Sequence, residues 1–196
     1  MNEILINLHM HTTYSDGSGT HADIVKAALD TGLDAVITTD HNVLVNGPGG
    51  YYHDGDKSVL LLVGEEIHDQ TAVPQKNHLL VIGAGKEMAK LADDTQHLVD
   101  SVNEAKGLTF IAHPVDPAAP AFKEPDISWE NWEVENYTGI ELWNAMSEFK
   151  SLMKNWFQAA FYVFNPKLVA RGPFPAALER WNQLLEGGKR VVAIGG

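Results

Sequence analysis

Seven short apolar runs are spaced along this chain, and longer amphipathic stretches separate several of them. Alternation of this kind is the pattern of βα units feeding a largely parallel sheet. Strands are expected at Ile4–His9, Ala35–Thr39, Val59–Val63, His78–Ile82, Thr109–Ala112, Gly139–Trp143 and Arg190–Ile194. A helix is expected over Thr20–Thr31, where Ile24, Ala27, Ala28 and Leu29 fall at helical spacing and Gly32 stops the run. Others are expected over Lys86–Lys106, ended by Gly107, and over Phe174–Glu186, opened by Pro173 and Pro175. Asn42–Lys57 and Pro114–Glu135 are rich in turn formers and read as loops. Seven strands with intervening helices point to a closed, barrel-like sheet more than to an open doubly wound one. No glycine-rich nucleotide fingerprint is present to favour the latter.

Composition narrows the partners. Lys and Arg number 14 against 26 Asp and Glu, leaving a formal charge of −12. That sign argues against stable nucleic-acid binding, which relies on cations against phosphates, but leaves metals open, since bound cations invert a local field. The chain has no cysteine, so thiolate sites and disulfides are excluded. Its first residues run straight into a strand-like stretch without a basic leader, and no window approaches 18 uninterrupted apolar residues. A soluble, cytoplasmic chain with no membrane partner is therefore the expectation.

Chemistry enters where ionisable residues meet strands. His9, His41, Glu66, His113 and Glu141 each stand in or just after an expected strand, and His78 opens one. Such groups are costly in a core unless a ligand or metal satisfies them, and the C-terminal strand ends form the working face of parallel barrels. Imidazole and carboxylate together suit zinc, manganese or iron. At strand period two, His9 and His11 share a face and can grip one ion. Each piece alone has a plain alternative: a lone His-x-His arises by coincidence, Asp16 fits an Asx turn, and His41 fits a satisfied core histidine.

Taken in order the pieces are more specific. His9-x-His11, four residues, Asp16-Gly17, and then Thr39-Asp40-His41-Asn42 resemble the opening of the PHP (polymerase and histidinol phosphatase) family. Gly64-Glu65-Glu66-Ile67, Asn77-His78-Leu79-Leu80, Ile111-Ala112-His113-Pro114 and Gly139-Ile140-Glu141-Leu142-Trp143-Asn144 resemble its later motifs. The resemblance implies a single PHP domain over 1–196, folded as a distorted (βα)7 TIM-like barrel with two or three divalent ions. Mapped by motif, His9, His11 and Glu66 would hold one ion. Glu66 would bridge to a second, held by His78 and His113, while Asp16 and His41 would serve a third. Glu65 competes with Glu66, and the family spacing after Gly64 favours Glu66. Asp40 is expected to orient a ligand histidine, and Glu141 to be a supporting or structural residue.

The family closes its site with a last strand followed by an Asp and a His. Here Val191–Gly196 supplies the strand without them, so the chain is expected to lack the C-terminal portion of its domain. The activity implied is that of a phosphoesterase acting on a small phosphorylated substrate, with hydroxide generated on the metal as nucleophile. Alternatives are hydrolysis of an amide or carbamate ester by the same chemistry, and a degenerate non-catalytic module. Arg171 and Lys123 are weak candidates for meeting a substrate phosphate, and His68 for touching substrate. His21, His53 and His97 receive no role, and the five tryptophans read as core or loop anchors.

Overall fold

The computed structural model describes residues 3–196; Met1 and Asn2, the head of the stretch read for a leader, lie outside the described residues. Two compact units form, one from the chain up to His68 with Leu79–Thr109, the other from Asp69–His78 with Phe110–Gly196.

The first unit contains β1 (Ile6–Met10), α1 (His21–Thr31), β2 (Ala35–His41), β3 (Gly50–Asp54), β4 (Lys57–Ile67), β5 (Leu79–Ile82) and α2 (Thr95–Glu104). β1 pairs with β2, and β2 with β4, in parallel. Along the other edge of β4, β3 lies antiparallel against its first half and β5 antiparallel against its second. The β4–β5 pairing departs from the largely parallel sheet read from the sequence. Its reason is the connection: no helix lies between Ile67 and Leu79, and a parallel neighbour needs a long crossover, usually helical. Gly64 is required where the two strands meet, because a Cβ there would collide with the Val81 carbonyl oxygen.

The helix α1 is specified at both ends. Thr20 accepts a hydrogen bond from the Asp23 backbone N–H while the Asp23 carboxylate accepts from Thr20, a complete capping box. Gly32, at φ 79°, closes the helix in the left-handed region and donates to Ala28. Ile24, Val25, Ala28 and Leu29 form its buried face and pack on Val36, Val59 and Leu61. Val25 thus takes the place expected for Ala27, which stays exposed.

The hairpin strand β3 falls inside the stretch expected to be loop. Asp54 pairs with Lys57, so Gly55-Asp56 is a two-residue hairpin turn, a readable signal. The expected Lys86–Lys106 helix is shorter in fact, a 3-10 turn at Ala89–Leu91 preceding α2.

In the second unit, Phe110 and Ile111 of β6 (Leu108–Ile111) pair in parallel with β7 (Gly139–Trp143), and β7 pairs in parallel with β8 (Val192–Gly195). Three helices lie between β7 and β8: α3 (Ala145–Leu152), α4 (Trp156–Phe164) and α5 (Pro175–Glu186). The loop after β6 is pinned to α3 through buried Asp116, whose carboxylate accepts from Ser147 Oγ and Lys150 Nζ. No helix among the described residues is long and apolar enough to cross a membrane.

Replacing Thr20 with Ala removes the cap and is expected to cost about 1 kcal/mol, read as a lower urea midpoint at unchanged slope, whereas Thr20→Ser stays close to the native value.

Candidate metal centre

Three strand ends in the first unit converge on one carboxylate oxygen. β1 delivers His9 and, just past its end, His11; β2 ends on His41; and β4 carries Glu66 one residue before its last. Glu66 Oε2 lies 2.9 Å from His9 Nε2, 3.0 Å from His11 Nε2 and 3.4 Å from His41 Nδ1. Asp16, on the turn after β1, reaches the outer nitrogens of the same rings, at 3.1 Å from His11 Nδ1 and 3.7 Å from His41 Nε2. Two imidazoles therefore each span from a buried carboxylate to an exposed one.

The donor set fits a divalent ion on its own chemistry. His9 Nε2 and His11 Nε2 stand 3.1 Å apart and both aim at Glu66. Neutral imidazoles meet nitrogen to nitrogen only when a proton or a cation lies between their lone pairs. Neighbouring ligands of an octahedral ion at about 2.1 Å would be about 3 Å apart, which the three separations of 2.9, 3.0 and 3.1 Å match. His9, His11 and Glu66 form one group able to hold an ion, and His11, Asp16 and His41 another.

Buried Asp40 holds the turn that carries Asp16. Its carboxylate accepts from the Thr12 backbone N–H at 2.7 Å, the Thr12 hydroxyl at 2.8 Å and the Ser15 hydroxyl at 2.8 Å. These bonds put Asp40 on the loop, a different task from the histidine orientation read from the sequence. Ser15 Oγ lies 3.4 Å from His11 Nδ1, so the loop bears on that ring. Gly17 closes the turn by donating to Thr12, and a Cβ there would collide with the His11 carbonyl. Thr12 and Ser15 were missed because a hydroxyl in a motif carries no signal until its carboxylate partner is known. At the β2 end, Asn42, at φ 53°, donates to the Glu66 carbonyl and accepts from the His68 backbone N–H.

Strand alternation separates the two adjacent glutamates. Glu65 points to the opposite face from Glu66; its Oε2 accepts from the Met88 backbone N–H at 3.0 Å, and Ala89 also donates to the carboxylate. Only 1% of Glu65 is exposed. Burial pushes its carboxyl up to about 7, against the pull of the Met88 bond.

The second unit brings His78 and His113 together, both buried, with ring centroids 5.0 Å apart and edge to face. His113 has a positive φ of 26°, a sparsely populated conformation for a non-glycine residue. The fully buried Glu141 holds it there, accepting from the His113 backbone N–H at 2.7 Å and from Asn144 Nδ2 at 3.1 Å. This gives Glu141 a definite supporting task. His68 is buried, its ring edge-on to His41 at 5.1 Å. Arg171 is exposed and donates to the Tyr162 hydroxyl.

The PHP domain model matches residues 7–161 of the sequence. The chain belongs to the PHP domain family. Among solved structures, the fold is similar to that of a presumed metal-dependent phosphoesterase from Bifidobacterium adolescentis, at 14% identity and a TM-score of 0.55, over 98% of this chain and 87% of that one. A two-domain protein from Bacteroides vulgatus, containing a predicted PHP-like metal-dependent phosphoesterase, is 20% identical at a TM-score of 0.45. There 72% of this chain covers 44% of the other. No curated protein matches. The PHP match embraces His9, His11, Asp16, His41, Glu66, His78 and His113.

Glu66→Gln is expected to weaken metal binding on the order of 100-fold, measured by calorimetric titration of stripped protein with Mn or Zn, with the circular dichroism unchanged. For Glu65 the folded carboxyl, near 7, holds its proton more tightly than at its ordinary 4.5. Its stabilisation is complete below the lower value and drains as pH rises through the upper. In metal-stripped protein, Glu65→Gln should therefore be the more stable form above pH 8, by about 3 kcal/mol. Urea melts should show that advantage closing as the pH falls towards 5.

Proposed function

We propose that this PHP domain is a metal-dependent hydrolase and, more narrowly, a phosphoesterase acting on a small phosphorylated substrate. One observation carries the reading: His9 and His11 both place Nε2 within 3.0 Å of a single oxygen of buried Glu66. His9, His11 and Glu66 would hold one zinc, manganese or iron ion, and Asp16 and His41 would serve a neighbouring one. His78 and His113 would present a further pair of imidazoles. The frame proposed for them is the family's distorted (βα)7 barrel.

Divalent ions bound there would acidify water and polarise a phosphoryl oxygen. The protein's own part is orientation. Glu66 fixes the rings from one side and Asp16 from the other, and Asp40 holds the turn so that Asp16 stays in reach. In a chain of net charge −12, bound cations would also supply the positive field that a phosphate substrate needs. Arg171 and His68 would be the side chains to meet substrate.

The test couples metal content to turnover. Elemental mass spectrometry of the purified chain should find at least one transition ion per chain, and p-nitrophenyl phosphate should be hydrolysed. Activity should be lost with a chelator, return with Mn or Zn, and fall on the order of 100-fold in His11→Ala. Turnover of carboxylate or carbamate esters but not phosphate esters would replace the substrate class. Absence of both metal and turnover would leave the domain a non-catalytic scaffold.

A further inference from the structure

The helix α4 is built inside out. Its inward residues are Ala159, which is buried, and the half-buried Gln158 and Tyr162, while Trp156, Phe157, Phe161 and Phe164 face water. Phe157 is 89% exposed, Phe164 83% and Trp156 73%. Spacings of four, seven and eight residues put these rings on one side of the helix. Val163 and Leu168 extend the exposed apolar surface. An apolar patch of this kind on a soluble domain marks a contact surface. Trp156 is the one tryptophan that departs plainly from the anchor role read from the sequence; its ring meets Phe122 edge-on at 4.6 Å and is otherwise largely exposed.

Charge names the partner. Residues 149–178 contain Lys150, Lys154, Lys167 and Arg171 and no acidic residue, in a chain whose net charge is −12. Lys150 is buried on Asp116, but Lys154, Lys167 and Arg171 are exposed, just before α4 and shortly after it. An aromatic face framed by cations is the composition of helices that lie in a membrane interface and bind anionic lipid. A second copy docked through a two-fold axis would bring these cations against their own equivalents. We infer that α4 and its flanking cations form a peripheral docking site for an anionic lipid surface, with Phe157, Phe161 and Phe164 entering the headgroup region. The missing spanning helix that led to the expectation of no membrane partner does not bear on a contact of this type.

Vesicle co-sedimentation of the full chain tests this, with phosphatidylcholine alone and with phosphatidylglycerol added. Binding to the anionic vesicles should exceed binding to the neutral ones by about tenfold or more, and high salt should weaken it. The double variant Phe157→Ser/Phe164→Ser should lower anionic binding by about tenfold or more. Lys154→Glu/Lys167→Glu should lower it to the level of the neutral vesicles. Both variants change exposed side chains, so melting temperature and metal content should match the native chain. Equal binding to both vesicle types, or none, overturns the inference. So does a concentration-dependent dimer in ultracentrifugation that Phe157→Ser/Phe164→Ser dissolves, which would assign the face to a second copy.

Discussion

The organisation of the first unit depends on the burial of Glu66. An ionised carboxylate removed from water carries a cost that only well-placed partners offset, and His9 and His11 meet one of its oxygens at 2.9 and 3.0 Å. For those contacts to exist, β1 and β4 must be held on either side of β2, with the β1 pairing shifting register between Asn7 and Met10. His41 then stands between them at the end of the middle strand. The packing of α1 on Val36, Val59 and Leu61 holds that sheet from its other side. Core and site are thus two faces of one sheet, the apolar face stabilising the positions that the polar face uses.

Buried carboxylates divide the supporting work. Asp40 sits beside His41 in sequence yet serves the turn after β1, where Thr12 and Ser15 donate to it. Glu65 sits beside Glu66 yet faces away and receives the Met88 backbone N–H. In the second unit Glu141 holds the His113 backbone in its strained conformation. Asp40 and Glu141 thus fix backbone at or beside candidate ligands, while Glu65 fixes the segment at Met88.

Much of the candidate site was legible. His9, His11 and Asp16 lie within one short motif, and the strand ends bearing His41 and Glu66 are apolar runs closed by an ionisable residue, a pattern with few ordinary explanations. The hairpin at Gly55-Asp56 was equally readable, but the glycine and tyrosine content of its surroundings obscured it. What could not be read is the direction of β5. A strand shows the same two-residue period whichever way it runs, and only the helix-free link after β4 sets it antiparallel. The exposed rings of α4 were also hidden, since eight of its nine residues are apolar and the one polar residue, Gln158, lies on the inward side.

The sequence by itself determined the donor types, their order along the chain and their attachment to strand ends, and through these the PHP family. Those properties are covalent or follow from local periodicity. Only the tertiary structure decided what Glu65 meets on the opposite face from Glu66, that Asp40 braces a loop, and that α4 turns its aromatic side to water. Each of these depends on what a distant segment places opposite the residue, and local preference does not encode a partner 20 or more residues away, such as Asp40 for Thr12 at a separation of 28.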